Sequence, residues 1–193
     1  MRLYHRKGAG RPLRVAWALE EADAPYEVIW VDSPEGEEHR RRQPLGRVPV
    51  LEDDEGFLFE SAALCLQVAD LYPQAGLIPA VGTHERGLVY QWSVFAMTHL
   101  EPSIGDANRL RESDPEAAAA ARERFLSAAQ GVATALDGHA YLVGDAFSVA
   151  DIVISSVLLI SRRINLELPS PLGEYIGRME ARPARARVYA ELT

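Results

Sequence analysis

The feature that most constrains this chain is a change of pattern near residue 80. Before it, short runs rich in β-branched and aromatic residues alternate with helical apolar stripes; from about residue 84 the apolar residues recur at helical spacing alone. That change predicts an α/β domain over residues 1–79 followed by an all-helical domain over 84–193. In the first, Leu3-Tyr4-His5 reads as a short strand, and Gly8 and Gly10 loosen the chain after it. Pro12 then sits where the first turn of a helix accepts proline, because the missing N–H has no partner there. Val15, Ala18, Leu19 and Ala22 form the stripe of that helix. Tyr26 to Val31 reads as a second strand and Glu35 to Gln43 as a short charged helix, broken by Pro44-Leu45-Gly46. Val48 to Leu51 and Phe57 to Phe59 flank an acidic turn of hairpin length. Ser61 to Tyr72 closes the domain as a helix with Leu64, Val68 and Leu71 on its apolar face, giving the order βαβαββα.

Two prolines and two glycines between Pro73 and Gly82 mark a linker. Beyond it, Leu88, Trp92, Phe95 and His99 share one helical face, and Phe125, Ala129, Val132 and Leu136 share another on a helix opened by Asp114-Pro115-Glu116. Phe147-Ser148-Val149-Ala150-Asp151-Ile152 carries a capping box, with Ser148 as cap and Asp151 reaching back to it. From Val149 to Ile160 the helix is apolar on nearly all sides yet too short to span a bilayer, which predicts the buried centre of the helical domain.

Composition narrows the function. The 48% hydrophobic content supports a buried core, and 20 Lys and Arg against 28 Asp and Glu leave a net charge of −8, which repels nucleic-acid phosphates and anionic membranes. The single cysteine, Cys65, forms no internal disulfide, and no Cys/His spacing suggests a metal. With neither a signal peptide nor a membrane-length apolar run, the expectation is a cytoplasmic protein.

Two places invite chemistry. Arg47-Val48-Pro49-Val50-Leu51 puts proline at the head of a strand, where it removes a ladder donor. A cis Val48–Pro49 bond would turn the Val48 N–H and C=O outward to an extended ligand, although cis is uncommon for X–Pro bonds in general. Further on, Glu60-Ser61 stands at a helix start, where a hydroxyl and free backbone N–H groups suit a carboxylate and Glu60 suits an ammonium. The competing reading is that Ser61 merely caps its own helix.

These segments together resemble the glutathione transferases over the whole chain. The marks are Leu3-Tyr4-His5 before a glycine-rich turn, Arg14-Val15-Ala16-Trp17-Ala18-Leu19-Glu20-Glu21, Pro44-Leu45-Gly46-Arg47-Val48-Pro49-Val50-Leu51, Glu60-Ser61 and Phe147-Ser148-Val149-Ala150-Asp151. The resemblance implies a thioredoxin-like first domain and glutathione as co-substrate, with Pro49 cis, the Val48 backbone paired to the cysteinyl part, Glu60-Ser61 holding the γ-glutamyl end and Arg47 near the glycyl end. The resemblance also sets Arg40 or His39 in the glycyl-end region, against the expectation that His39-Arg40-Arg41-Arg42 is a solvated charged face. The resemblance also implies a homodimer, in which the first domain of one chain meets the helical domain of the other.

The chain departs from the family where the thiol would be activated. Aligned on Pro12-Leu13-Arg14, the family's tyrosine falls on Leu3 and its serine or cysteine on Gly10, and neither side chain donates a hydrogen bond. Tyr4 points to the opposite strand face from Leu3 and is expected to pack. One reading is a transferase whose thiolate is held by the backbone N–H groups and helix dipole at Gly10 and Arg11 together with the Arg11 guanidinium, the electrophilic acceptor lying between Gly8-Ala9-Gly10 and the helices of Trp92 to His99 and Asn108. A second takes the donor from His99 or Tyr90. A third is a non-catalytic glutathione-binding or interaction protein, for which Gly10 is the best evidence. A thiol oxidoreductase fits least, since the turn holds no cysteine and Cys65 lies mid-helix, where an inert buried thiol is expected. Trp92, Phe95 and Met97 suit an apolar acceptor, but helical spacing favours core.

Overall fold

Four short strands form one sheet in the order β2-β1-β3-β4: β1 (Arg2–His5), β2 (Glu27–Trp30), β3 (Val50–Glu52) and β4 (Phe57–Phe59). The computed structural model describes all residues, 1–193. β1 runs parallel to β2, so a crossover must join them, and α1 (Gly10–Glu21) provides it. β3 is antiparallel to both β1 and β4, and the β3–β4 pair is the expected hairpin. Leu3 lies opposite Val28 and Leu51 and is fully buried, whereas Tyr4 turns to the other face, toward His39 of α2 (Glu37–Arg40). Tyr4 is buried and packs against His39 and Phe57, as expected, and its phenol also donates to Glu52 Oε2 at 2.8 Å.

α3 (Ser61–Leu71) packs beside α1, burying Leu64, Cys65, Val68 and Ala69. Leu71 was expected on that buried face but is exposed, because the helix ends with it and no further turn covers it.

The chain divides into two compact units, Met1–Ile78 with Ala181–Thr193, and Pro79–Glu180. The last helix, α9 (Pro183–Leu192), thus joins the first unit, unlike the expected helical domain over 84–193. The reason lies in its partners on α1. Arg182 reaches Glu21 with two hydrogen bonds of 2.6 and 2.8 Å, Arg187 Nε donates to Glu20 at 3.1 Å, and the Arg185 guanidinium lies 5.8 Å from the Trp17 ring centre.

In the second unit, α4 (His84–Phe95) continues through a π-turn at Ala96–Leu100 into α5 (Glu101–Arg109). Pro102 explains the π-turn: its ring would strike the carbonyl four residues back, and the wider turn, in which Glu101 N–H bonds Ala96 C=O, opens the ladder there. The buried stripe is Val89, Ser93, Ala96 and Leu100. The expected stripe is rotated from it: Leu88, Trp92 and Phe95 are half-buried and His99 is exposed. α6 (Pro115–Ala135) starts as expected, with the Asp114 carboxylate accepting from Ala117 N–H at 3.0 Å, and buries Phe125, Ala129 and Val132.

α7 (Val149–Leu158) is buried along nearly its whole length and carries the expected capping box. Asp151 Oδ2 accepts from Ser148 N–H at 2.9 Å and Ser148 Oγ at 3.1 Å, while Oδ1 accepts from Leu142 N–H at 3.0 Å and from the Tyr175 phenol of α8 (Ser170–Glu180) at 3.0 Å. No helix is long and apolar enough to cross a membrane.

Candidate functional site

The site grows from three loop-to-element junctions of the first unit. At the first, Gly8 takes φ +77° and Ala9 N–H bonds Arg6 C=O at 3.0 Å, closing the turn into α1. Ala9 precedes the helix with no side-chain cap, and no acidic residue stands in the first turn. The leading N–H groups of α1 therefore keep their positive end available to an anion. His5, fully buried at the end of β1, steadies the turn: Nδ1 donates to Arg6 C=O at 2.7 Å and the ring stacks on Trp30 at 4.8 Å. Burial lowers its pKa, so the imidazole is held neutral.

The second junction is the loop from Gln43 to Pro49. Buried Gln43 accepts from Leu45 N–H at 2.8 Å and Arg47 N–H at 3.0 Å through one oxygen, and His39 Nε2 donates to Arg47 C=O at 2.9 Å. Gly46 lies at φ +63°, and a Cβ there would fall 2.6 Å from the Pro34 carbonyl oxygen, so only glycine fits. The Val48–Pro49 bond is cis, as the family resemblance implied. With both polar groups of Arg47 tied inward, Val48 follows with a backbone that makes no hydrogen bond inside the chain.

At the third junction Glu60 stands before α3 at φ +73°, uncommon for a residue with a Cβ. Such strain costs on the order of 1–3 kcal/mol and is usually retained where function uses it. The idea that Ser61 caps its own helix is overturned: Glu60 holds the cap position, and Ser61 is the first helical residue, 2% exposed, with Oγ accepting from Arg14 Nη1 at 3.1 Å.

These junctions converge. Arg11, Arg47, Val48, Pro49, Glu60 and Ser61 line one small cavity of about 40 Å³, with Gln43 and Leu45 completing its wall. Gly10 opens α1 next to Arg11 but is not part of the lining. His39, expected on a solvated charged face, is instead 2% exposed, because the backbone of Arg47 captures its ring. Arg40 and Arg41 are exposed as expected. The alternative donors stand in the helical unit: Tyr90 accepts from Arg86 Nε, and the His99 ring lies tilted against Phe95, 5.0 Å between centres, in a groove walled by Glu123 and Arg124 of α6. Cys65 is buried, with Sγ donating to Arg14 C=O at 3.5 Å and its thiol pushed up to about 12 by burial.

Sequence reasoning gave Arg14 and Gln43 no part in the site. Only Arg14 left a signal: it sits one turn before Ala18 on the apolar face of α1, where an arginine needs a buried partner.

Comparison with known proteins decides the family. Residues 1–70 match the glutathione S-transferase N-terminal domain, and residues 69–184 match the C-terminal domain. The chain belongs to the glutathione S-transferase family. Among its relatives, glutathione S-transferase hmp2 of Hypomyces subiculosus is 34% identical over 154 residues, covering 72% of this chain and 73% of that one. The disulfide-bond oxidoreductase YfcG of Escherichia coli is 28% identical over 188 residues, covering 89% and 86%. A sphingomonad glutathione S-transferase solved in complex with glutathione superposes with a TM-score of 0.86 at 31% identity, covering 97% of this chain and 96% of that one. Family members thus include both transferases and a disulfide oxidoreductase, and this transferase-family chain has glycine and arginine, not a thiol or hydroxyl, at the start of α1.

Proposed function

We propose that this chain binds glutathione through its first unit and adds the glutathione thiolate to an electrophilic small molecule. The observation that carries the reading is the cavity in which Arg47, Val48, cis Pro49, Glu60 and Ser61 meet beside Arg11. In this reading the γ-glutamyl carboxylate takes the Ser61 hydroxyl and the first N–H groups of α3, its ammonium takes Glu60, and the cysteinyl part pairs with the Val48 backbone. The thiolate lies at the start of α1, where the uncapped N–H groups of Gly10 and Arg11 and the Arg11 guanidinium replace the missing hydroxyl. A helix end and a neighbouring cation are each enough to lower a thiol pKa by about one unit, or about 1.4 kcal/mol in favour of the anion.

Gly10 supports a second reading, a glutathione-binding protein that performs no transfer, because no side chain there donates to sulfur. The ultraviolet difference absorbance of bound thiolate, followed across pH, separates the two. A saturable signal with a pKa well below that of free glutathione, together with turnover of a chromogenic aryl halide, is the transferase outcome; saturable binding by calorimetry without thiolate at neutral pH is the binder outcome. No glutathione binding would sink both.

The chain also pairs with a second copy in this reading. Phe57, Leu58 and Phe59 of the edge strand β4 are all exposed, at 42%, 41% and 39%, and an apolar sheet edge left open is a liability that association removes. Light scattering of the eluting protein reads the mass directly, and a monomer at micromolar concentration would count against pairing.

A further inference from the structure

Ser61 Oγ has one hydrogen to donate and lone pairs to accept with, and the guanidinium of Arg14 can only donate. Their 3.1 Å contact therefore fixes Ser61 as the acceptor on that side. Both residues are 2% exposed, and the contact joins α1 to α3 across 47 residues of sequence. Ser61 has no other hydrogen-bond partner in the chain, and it lines the cavity. Its O–H is left to point into that cavity as a donor, beside the first backbone N–H groups of α3, which are donors too.

We infer that Arg14 is a positioning residue that makes the Ser61 end of the cavity a donor-only site, so that it selects a carboxylate and rejects the corresponding neutral amide. The inference rests on the glutathione reading and adds to it the source of selectivity. A carboxylate accepts from every donor present. An amide turns either a second donor toward the Ser61 hydroxyl or a single weaker carbonyl, and Ser61 cannot rotate to accept from it without giving up the Arg14 contact.

The test compares two ligands by calorimetry: glutathione, and glutathione whose γ-glutamyl α-carboxylate is converted to the primary amide. The unaltered protein should prefer glutathione by on the order of 30-fold, the size of a hydrogen bond to a charged group. Arg14→Met, which keeps the length and apolar stem but donates nothing, should reduce that preference to a few-fold, chiefly by weakening glutathione. Arg14→Lys, still a donor, should retain most of it. In a Ser61→Ala background, Arg14→Met should leave glutathione affinity unchanged. A structural role alone would lower affinity for both ligands equally, and that outcome overturns the inference, as does full preference in a folded Arg14→Met protein. Should Arg14→Met fail to fold, the Arg14→Lys ratio decides: a preference lost despite a retained donor overturns the inference. Failure of the unaltered protein to bind glutathione overturns the glutathione reading itself, and this inference with it.

Discussion

Ser61 and Gly10 are the residues at which the proposed chemistry is most exposed to experiment. Ser61→Ala removes a hydroxyl that is already oriented by Arg14, so little structure needs to change, yet the ligand loses a hydrogen bond to its charge. Such a bond contributes about 1.5–3 kcal/mol, and glutathione affinity measured by calorimetry should fall at least 10-fold. Unchanged affinity would remove the carboxylate from this end of the cavity. Gly10 offers the reverse experiment. A Cβ built there meets nothing within 4 Å, and its φ is not in the left-handed region, so Gly10→Ser adds a hydroxyl at the start of α1 without strain. Conjugation of an aryl halide should rise about 10-fold or more, within the range a positioned donor gives, and the pKa of bound thiol should fall. If neither moves, the sulfur lies elsewhere. Both residues were legible from sequence, Ser61 as a match to the Glu60-Ser61 pair and Gly10 as a mismatch in the turn before α1. His39 was not, because a histidine among three arginines reads as surface; what buries it is the carbonyl of Arg47, brought within 2.9 Å by the Gln43 turn.

At the level of elements, the helix starts were written most plainly. Asp114 and the Ser148–Asp151 box cap their helices where the local pattern placed them, since capping involves residues three apart and needs no tertiary partner. Asp151 then does more than cap. Its carboxylate also satisfies Leu142 N–H and the Tyr175 phenol in a fully buried setting, and burial pushes its pKa up despite those donors. Asp151→Ala leaves these groups without an acceptor, and should lower unfolding free energy by about 3–5 kcal/mol in a urea titration. A loss under 1 kcal/mol would mean that solvent reaches the network. The helical stripe of α4 was harder to read. Its apolar aromatic residues, Trp92 and Phe95, lie beside the buried face, while the buried face itself uses smaller Val89, Ser93 and Ala96. Size misled because tight helix packing favours small residues at the contact. Pro102 had the information for the π-turn, but a proline inside a helical pattern predicts a kink or an end equally well.

For the whole molecule, weak acids that are buried or half-buried set a limit on alkaline stability. Burial pushes the Cys65 thiol up to about 12, Tyr26 up to about 12 with help from Glu20, and Tyr175 well above the usual phenol. Each folded pKa is raised, so each group favours folding while protonated in both states. That contribution is complete below the unfolded values, about 8.5 for thiol and 10 for phenol, and is lost as pH rises through the folded ones. Thermal midpoints should therefore fall from about pH 9 upward. A Cys65→Ala protein should show a shallower fall between pH 9 and 10 than the unaltered chain; equal slopes would show that the thiol ionises in the folded state. What the sequence determined by itself was everything set by neighbours along the chain: the βαβαββα order, the helix caps, the glycine and proline breaks, and the motifs around Pro49 and Ser61. The tertiary structure alone decided that Arg14 stands behind Ser61, that His39 holds the Arg47 carbonyl, and that α9 returns to α1 through Arg182 and Glu21. Periodicity tells which face of an element is apolar, but a polar group's partner across a fold is chosen by where two elements meet, and that depends on the packing of the whole core.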